Sequence, residues 1–194
     1  MAREFWKPGN MLNPLPAVMV SCQRPGEKPN IITLAWVGTV CSDPPMVSIS
    51  IRPERYSYDI IAETKEFVIN LVDEKNAKAM DWCGVKSGRD FDKFAEMHLT
   101  PFPSKTVAAP GIEECPVSLE CRVKEILPLG GHHMFVAEIT AVSVDDSYLD
   151  ADGRFDMDRL GLISFNHGAY YTPGKKVGTF GYSVKKKTTK RKTK

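Results

Sequence analysis

Residues 30–71 decide the fold, and they read NIITLAWVGTVCSDPPMVSISIRPERYSYDIIAETKEFVINL. Two apolar stretches within this segment are separated by the turn residues Asp43, Pro44 and Pro45, which reverse the chain. The second stretch, 46–51, alternates polar and apolar side chains, as a half-buried strand does. Because the strands follow one another through short connections, the segment predicts antiparallel pairing rather than a parallel sheet.

The rest of the chain continues this pattern with further strands and short helices. Ser57 is predicted to cap the first helix, with Ile60 and Ile61 as its buried pair, and Asp90 to cap the third. The predicted strands are 15–22, 31–40, 46–51, 66–71, 117–126, 133–144, 160–165 and 169–172, and the predicted helices are 57–64, 75–82 and 90–97. Residues 100–116, with four prolines, are predicted to be an extended loop. These elements favour a mainly β, antiparallel barrel with short helices in one domain.

Length and composition also indicate a single globular domain. The chain has 194 residues, of which 42% are hydrophobic and 26% charged. No apolar run approaches the roughly 20 residues of a membrane helix, and the N-terminus lacks the apolar region of a signal peptide. Five widely spaced cysteines form no Cys-x-x-Cys pair, so neither a zinc site nor a disulfide framework is expected. These features predict a cytoplasmic protein with free thiols and no membrane partner.

The net charge of +2 conceals a basic C-terminus. The last ten residues, KKKTTKRKTK, carry seven basic groups and no acid, so the net charge without them is −5. A run of like charges without apolar residues cannot pack, and we predict a folded domain over 1–182 and a disordered tail over 183–194. Contact between the tail and nucleic acid is the alternative, but a solvated tail is favoured, and nucleic acid is not an expected partner.

The turn Arg52-Pro-Glu-Arg-Tyr-Ser57 has the features of an anion site. The helix that it precedes offers unpaired N–H groups and the positive end of its dipole. Arg55 adds a charged donor and Ser57 a hydroxyl. An ordinary capped helix with exposed arginines is the alternative interpretation. Lys93 is a further candidate cation for such an anion, and a surface lysine is the alternative for it.

Trp36 lies among small residues in the first apolar stretch. Thr33 and Ala35 would allow a flat ring to approach the backbone closely, so that backbone amides bond to its heteroatoms. A tryptophan in a barrel core is the alternative interpretation, because tryptophan side chains are highly buried on average. The residues of this stretch leave both interpretations open.

Two adjacent histidines, His132 and His133, precede a long predicted strand. Neighbouring residues of a strand point to opposite faces, so these side chains cannot chelate one metal well, and no metal site is predicted. One of them is expected to contact a ligand or to titrate near neutral pH. The sequence contains no dinucleotide-binding fingerprint and no recognisable Ser–His–Asp grouping, and we predict no catalytic residue.

Taken together, these segments resemble the flavin reductase-like domain family, of the flavoredoxin type, over about residues 13–181. The segments that carry the resemblance are 13–20 (NPLPAVMV), 30–36 (NIITLAW), 44–51 (PPMVSISI), 55–57 (RYS), 61–70 (IAETKEFVIN), 87–94 (SGRDFDKF), 133–138 (HMFVAE) and 170–174 (YYTPG). No one of them is decisive, but their joint order and spacing are specific.

The resemblance implies an FMN-binding split β-barrel that forms a homodimer, with the flavin near the subunit interface. By position, Thr33, Leu34, Ala35 and Trp36 would line the flavin, Ser50, Ile51 and Arg52 would run beside its ring, Arg55, Tyr56, Ser57 and Lys93 would hold its phosphate, and His132 or His133 would lie near the ring or the nicotinamide. A positive group near N1 and C2 of the ring would stabilise the anionic reduced flavin, and Arg52 is the candidate for this role.

The family's activity is NAD(P)H-dependent flavin reduction, or electron transfer through bound FMN. We therefore predict an NAD(P)H-dependent flavin oxidoreductase. The alternatives are a flavoredoxin-like electron carrier without direct nicotinamide turnover, which would act with a redox partner protein, and a non-catalytic FMN-binding module. NADH and NADPH are equal candidates as donor, because neither a ribose-binding acid nor an arginine for a 2′-phosphate can be assigned.

Overall fold

The computed structural model describes residues 2–184 and confirms a mainly β, antiparallel fold with short helices. The strands are β1 (Leu15–Pro16), β2 (Val18–Cys22), β3 (Asn30–Leu34), β4 (Val37–Ser42), β5 (Pro45–Ile51), β6 (Glu66–Leu71), β7 (Pro101–Phe102), β8 (Gly111–Ile112), β9 (Val117–Pro128), β10 (His133–Val144), β11 (Ser164–Asn166) and β12 (Ala169–Tyr171). The α-helices are α1 (Tyr56–Thr64), α2 (Ala77–Val85) and α3 (Lys93–Glu96), and 3₁₀ turns occupy Glu74–Asn76, Asp146–Tyr148, Met157–Arg159 and Tyr182–Val184. The tail predicted over 183–194 lies outside the described residues from 185 onwards.

The principal sheet is rolled into a barrel. Its order is β3-β2-β6-β9-β10-β5-β4, and six spacings of about 4.8 Å would hold the edges of a flat sheet about 29 Å apart. The edge strands β3 and β4 are nevertheless joined by Ala35 and Trp36 alone, and the Trp36 carbonyl accepts a hydrogen bond from Ser50 N at 2.9 Å. The two edges therefore meet at residues 35 and 36, and the barrel is split along this line.

Alternation along the strands divides the core into two apolar clusters. Val18 and Val20 of β2 belong to the cluster inside the barrel, with Phe67 and Phe135, and all four are at most 1% exposed. Truncation of a phenylalanine in such a core to alanine costs about 3–5 kcal/mol. The second cluster contains Met19 and lies outside the barrel under α2 and α3. Because β2 is covered on both faces, all five of its residues are buried.

A buried asparagine holds the segment 100–116 against the outer face of the sheet. Asn70 is fully buried, and its amide nitrogen donates to Met19 O at 3.1 Å and to the Ser21 hydroxyl at 3.0 Å. Its amide oxygen accepts hydrogen bonds from Ile112 N at 3.0 Å and from the Ser118 hydroxyl at 2.7 Å. The region predicted as an extended loop over 100–116 is therefore anchored to the barrel, and it contains the short paired strands β7 and β8.

The predicted continuous strand over 31–40 is wrong. The chain leaves β3 at Leu34, and Val37 N donates to Ala35 O at 2.9 Å, which closes a tight turn around Trp36 before β4 begins. The apolar run is unbroken because both flanking strands are apolar, and no proline or glycine marks the turn. Sequence periodicity therefore could not locate the point at which the two edges of the barrel meet.

Two predicted helix caps are also wrong. α1 begins at Tyr56 with Arg55 as its extended N-cap residue, so Ser57 lies inside the first turn, where it is 2% exposed. α3 begins at Lys93, and the Asp92 carboxylate, rather than that of Asp90, accepts the capping hydrogen bond from Ala95 N. The buried pair Ile60 and Ile61 is confirmed, since both belong to the cluster inside the barrel.

The last strands form a small separate sheet in the order β1-β11-β12. Leu15 pairs with Phe165, and Phe165 in turn pairs with Tyr170. The strand predicted over 160–165 is shorter and begins later, at Ser164. The residues before it form a turn and a single bridge to Asp73, which lies just beyond the end of β6. Throughout residues 2–184, every helix is too short or too polar to cross a membrane.

Candidate functional site

Two adjoining cavities open along the split of the barrel. The larger one, about 530 Å³, is lined by residues 32–36 and 50–52 among others, and we call it the split cavity. The smaller one, about 180 Å³, lies at the start of α1 against residues 55–57 and 86–89, and we call it the cationic cavity. The two share Ile32, Glu54 and Arg55, and together they form one groove.

The fold brings the predicted cofactor-binding residues, with His132 but not His133, into this groove. The split cavity is lined by Thr33, Leu34, Ala35, Trp36, Ser50, Ile51, Arg52, Arg55 and His132. The cationic cavity is lined by Tyr56, Ser57 and Lys93, and Arg55 also borders it. Residues from β3, β5, α1 and the approaches to α3 and β10 thus converge on one place because the rolled sheet brings its two edges together.

Trp36 and His132 form one wall of the split cavity. Their rings are parallel to within 1°, with centroids 6.0 Å apart. Trp36 is 41% exposed, so the alternative interpretation of a buried core tryptophan is wrong. Two parallel rings at the mouth of a cavity present a flat surface on which a planar ligand can stack.

The opposite orientations predicted for the two histidines are confirmed. His133 Nδ1 lies 2.8 Å from the Tyr58 hydroxyl, and its ring meets that of Tyr58 edge-on at 5.4 Å. Tyr58 belongs to α1 and packs against the cluster inside the barrel. His132, rather than His133, therefore borders the split cavity.

Close packing between α2 and β3 shapes the floor of the split cavity. A Cβ atom on Gly84 would lie only 3.0 Å from Thr33 Cβ, so a glycine allows the helix to approach this closely. The Thr33 hydroxyl donates to the Met80 carbonyl of α2. Since that proton is committed to the helix, Thr33 offers its backbone and methyl group to the cavity.

Charged groups flank the split cavity on two sides. Arg52 Nη1 pairs with Glu54 Oε1 at 3.2 Å, and both side chains are more than half exposed. On α2, Asp81 Oδ1 accepts a hydrogen bond from the Tyr170 hydroxyl at 2.9 Å. Burial, together with this bond and the charge of Asp81, raises the pKa of Tyr170 to about 12. The phenol is therefore protonated at neutral pH.

The cationic cavity lies at an uncapped helix start. Arg55 makes no capping side-chain bond at the start of α1 and instead donates from Nη2 to the Gly84 carbonyl. The first N–H groups of a helix have no intrahelical acceptor, and with the helix dipole they create a positive potential at this end of the helix. Ser57 is held within this turn because its hydroxyl accepts a hydrogen bond from Asn30 Nδ2 at 2.7 Å. The arrangement suits an anion with several oxygens.

Lys93 is buried beside this helix start and is not a surface lysine. The residue is 4% exposed, and its Nζ donates to the carbonyls of Ile31 and Cys83, each at 2.7 Å. An ammonium group has three N–H donors, so one remains for the cavity that Lys93 lines. Burial lowers the pKa of Lys93 to about 8. It is therefore mostly charged at neutral pH and loses its proton in mild alkali.

Two further cations and a glycine complete the cationic cavity. Lys86 and Arg89 line it, and the Arg89 guanidinium lies over the Tyr56 ring at 5.5 Å and donates to the Glu54 carbonyl at 3.1 Å. A Cβ atom on Gly88 would lie 2.0 Å from Asn30 Oδ1. Only glycine leaves Asn30 where it is, and Asn30 in turn holds Ser57.

Buried thiols near the groove are not nucleophiles. Burial raises the pKa of Cys83 to about 11 and that of Cys22 to about 12, so both are protonated at neutral pH. The free cysteines are Cys22, Cys41, Cys83, Cys115 and Cys121. Within residues 2–184, no group of three or more His, Cys, Asp or Glu side chains is placed to hold a metal ion.

Comparison with known proteins identifies the family. The model of the flavin reductase like domain matches residues 11–167, which is most of the chain and spans β1 to β11. The chain belongs to the flavin reductase-like domain family. The groove described above lies wholly within the matched region except for Tyr170.

Three relatives show how far the likeness extends. Flavoredoxin of Desulfovibrio vulgaris (Miyazaki F) is 30% identical, with 95% of this chain and 100% of that chain covered at a TM-score of 0.86. An FMN-binding protein from Thermus thermophilus, solved with bound 1-cyclohex-2-enone, is 24% identical, with coverage of 92% and 99% and a TM-score of 0.77. An uncharacterized protein from Archaeoglobus fulgidus is 33% identical over 146 residues, which are 75% of this chain and 81% of the relative. The split-barrel fold predicted for this flavin reductase-like protein is confirmed.

Sequence reasoning missed several residues of this flavin reductase-like groove. Asp81 and Gly84 lie on α2, which carried no recognised motif, and only the fold brings them to the split cavity. Gly88 and Arg89 stood within the segment 87–94 that carried the family resemblance, and Tyr170 stood within 170–174. The order of these segments indicates the family, but it assigns no chemical role to Gly88, Arg89 or Tyr170.

Proposed function

We propose that this protein is an FMN-binding flavoprotein that acts as an NAD(P)H-dependent flavin oxidoreductase. The observation that carries the proposal is the continuity of the split cavity, with its exposed parallel rings, and the cationic cavity, with its uncapped helix start. FMN has the matching division into a flat ring system at one end and a phosphate at the other. When bound, FMN supplies the hydride and electron chemistry, and the protein supplies position and electrostatics.

The residues of the cationic cavity fit a phosphate. Arg55, Lys86, Arg89 and Lys93 line it against a single acid, Glu54. Glu54 is itself paired with Arg52 at 3.2 Å, which reduces its repulsion of an anion. The excess of cations, the Ser57 hydroxyl and the N–H groups at the start of α1 together provide charge-assisted hydrogen bonds of the kind that phosphate oxygens accept.

The residues of the split cavity fit a planar ring. Trp36 and His132 offer a flat wall, and Ala35 and Gly84 leave the neighbouring backbone accessible. Arg52 lies at the side of this cavity with its side chain 58% exposed. We assign to Arg52 the stabilisation of negative charge on the reduced ring, and to Trp36 and His132 the orientation of the ring.

The visible spectrum of the purified protein tests FMN binding. We expect flavin absorption in the protein as isolated or after addition of FMN, with riboflavin bound far more weakly because it lacks the phosphate. A protein that remains colourless and takes up no FMN would exclude every flavin-dependent function. The comparison of FMN with riboflavin also checks that the cationic cavity holds the phosphate.

Stopped-flow mixing with nicotinamide cofactors tests the oxidoreductase activity. We expect the absorption of bound FMN to bleach on mixing with NADH or NADPH, and the faster of the two identifies the donor. Reduction by dithionite serves as the control that the flavin itself is reducible. Failure of both nicotinamides, with dithionite effective, would contradict the reductase and leave a non-catalytic FMN-binding module or an electron carrier.

A second candidate function is an electron carrier without direct nicotinamide turnover. The similarity to flavoredoxin over 95% of this chain favours it. Such a carrier would exchange electrons with a redox partner protein through the exposed side of the split cavity. Its signature is reversible one-electron or two-electron titration of the bound FMN, with no reaction with NADH or NADPH.

We further propose that the protein acts as a homodimer. Exposed apolar side chains lie at the split and on the edge strand that follows it, with Trp36 at 41% and Val40 of β4 at 51% exposure. Light scattering coupled to size-exclusion chromatography is expected to give twice the monomer mass of 21.6 kDa, and a monomer mass would contradict the proposal.

A further inference from the structure

Two distant parts of the chain meet across the split cavity. Tyr170 of β12 and Asp81 of α2 both line the cavity and are 89 positions apart in sequence. The Tyr170 hydroxyl donates a hydrogen bond to Asp81 Oδ1 at 2.9 Å. A carboxylate acceptor makes this bond stronger than one between neutral groups.

The strand that carries Tyr170 is weakly attached to the rest of the molecule. β12 is the edge strand of the small sheet, paired on one side with β11, and its residues are half-exposed or exposed. Tyr170 itself contacts the Phe165 ring of β11 at 6.0 Å, and Phe165 also lines the cavity. Phe165 is held by its pairing with Leu15 and by packing against the cluster under α2, so the bond to Asp81 chiefly fixes the Tyr170 ring relative to α2.

We propose that Asp81 and Tyr170 are a positioning pair that fixes the edge strand β12 against α2, closes the split cavity on this side and slows the release of flavin. This inference rests on the proposed binding of FMN. It decides whether the flavin is retained through many turnovers or is exchanged with solution after each one. Tyr170 contributes through its hydroxyl, and Asp81 contributes as the acceptor on the helix.

Rates of FMN dissociation test the pair in the holoprotein. Tyr170→Phe keeps the ring and removes the hydroxyl, and Asp81→Ala removes the acceptor. For a half-exposed hydrogen bond to a carboxylate, each variant is expected to release FMN about three- to tenfold faster, followed by the recovery of FMN fluorescence after dilution. The double variant should be no faster than either single one, because both changes remove the same bond. Additive effects, or rates equal to the wild type, would overturn the proposal.

Two further variants provide matched controls. Tyr171→Phe alters the neighbouring tyrosine of the same strand, which is 54% exposed and does not line the cavity, and it is expected to leave the dissociation rate unchanged. Asp81→Asn keeps an acceptor oxygen and should restore much of the retention lost in Asp81→Ala. Acceleration by Tyr171→Phe equal to that of Tyr170→Phe would overturn a specific role for the pair.

Hydrogen exchange in the apoprotein tests the same pair without flavin. The amides of β12 are expected to exchange about three- to tenfold faster in Tyr170→Phe and Asp81→Ala, and at the wild-type rate in Tyr171→Phe. If the wild type took up no FMN, the proposed function would fail, and exchange would still decide whether the pair holds this strand. Faster dissociation of FMN with unaltered exchange would overturn the positioning role, since it would indicate a direct contact with flavin instead.

Discussion

The cationic cavity and the split cavity are built from different kinds of interaction. Around the cationic cavity, side chains are already fixed by hydrogen bonds, as with Asn30 to Ser57 and Lys93 to two carbonyls. The split cavity is instead bordered by half-exposed rings and by one bond to a weakly attached strand. Preorganised groups contribute most to affinity, because little ordering is needed on binding. If FMN binds as proposed, we expect the cationic cavity to contribute most of the affinity, and the split cavity to set the chemistry and the rate of exchange of the ring.

The largest expected effect comes from a change that deforms the cationic cavity. A Cβ atom in Gly88→Ala would meet Asn30 Oδ1 at 2.0 Å and Tyr56 Cδ1 at 2.8 Å, and a shift of the Asn30 side chain would disturb its hydrogen bond to Ser57. We expect FMN affinity to fall by about 100-fold or more, measured by calorimetry.

Gly174→Ala is the matched control for this prediction. A Cβ atom there meets nothing within 4 Å, so affinity should equal that of the wild type. Wild-type affinity in Gly88→Ala would show that the cationic cavity does not bind the phosphate, and the contrast between the two cavities would be lost.

The next effect comes from the buried lysine. Lys93→Met removes a charged donor at nearly constant volume, and we expect FMN affinity to fall by about 10- to 100-fold. Lys86→Met, at an exposed residue of the same cavity, should weaken FMN binding by about threefold or less, because exposed charges are screened. An equal loss in the two variants would contradict the importance of burial.

The lowered pKa of Lys93 predicts opposite responses of binding and stability to alkali. As pH rises through about 8, Lys93 loses its charge, so FMN affinity should fall. Between about 8 and the ordinary lysine value of 10.5, the unfolded state binds more protons, so the free energy of unfolding of the apoprotein should rise from this group. Titration of both quantities in the wild type and in Lys93→Met checks this, and persistence of the two trends in the variant would contradict it.

Smaller effects should differ in kind between the two cavities: a change in midpoint potential at the split cavity, and a change in affinity at the cationic cavity. Arg52→Ala at the split cavity is expected to lower the midpoint potential of bound FMN, because the negative charge on the reduced ring loses a nearby cation, with affinity changed by about threefold or less. Arg89→Ala at the cationic cavity should weaken binding and leave the potential unchanged. Spectroelectrochemical titration measures both potentials, and an unchanged potential in Arg52→Ala would remove the role assigned to it.

The smallest effect on FMN is expected far from both cavities. Glu120 is buried, and its carboxylate accepts hydrogen bonds from Lys105 N at 2.8 Å and Thr106 N at 2.6 Å. Burial alone would raise its pKa, but these bonds outweigh burial and lower it. Glu120→Gln should reduce the free energy of unfolding by about 1–2 kcal/mol at neutral pH, with no change in FMN affinity.

The pH dependence of this stability difference follows from the lowered pKa. The contribution of Glu120 is fully present above the unfolded value of about 4.5 and is lost as pH falls through the folded value below it. Urea unfolding at neutral and acid pH is the measurement. A difference between wild type and Glu120→Gln that persisted at low pH would indicate a cause other than the charge.

The sequence predicted which residues border the groove better than it predicted the contacts that hold them there. Trp36 and Lys93 were assigned correctly to one place, since the order of motifs along the chain carries that information. Neither the exposure of Trp36 nor the burial of Lys93 was predictable. Periodicity treats Trp36 as part of one long strand and Lys93 as an exposed charge. Ser57 was recognised as polar and close to a helix start, but its partner Asn30 lies 27 positions earlier in the chain, on β3.

The contacts that join distant segments were invisible at the level of local pattern. Asp81 and Tyr170 are ordinary surface residue types, and nothing in a strand or helix period pairs them. The local pattern gives no reason for Gly88, whereas the structure shows that a Cβ atom has no space beside Asn30. Local chemistry predicts which residues are able to act, and the topology decides which of them meet.

The short link between β3 and β4 also bears on the order of events in folding. These strands are neighbours in the chain, but the barrel whose two edges they form closes only when β6 has paired with β9 and β5 with β10, across dozens of residues each. Contacts of such sequence separation form slowly, so we expect the groove to be completed late. A flavin that binds there selects finished molecules over partly folded ones, and by mass action it raises the unfolding temperature of the whole barrel rather than of one segment.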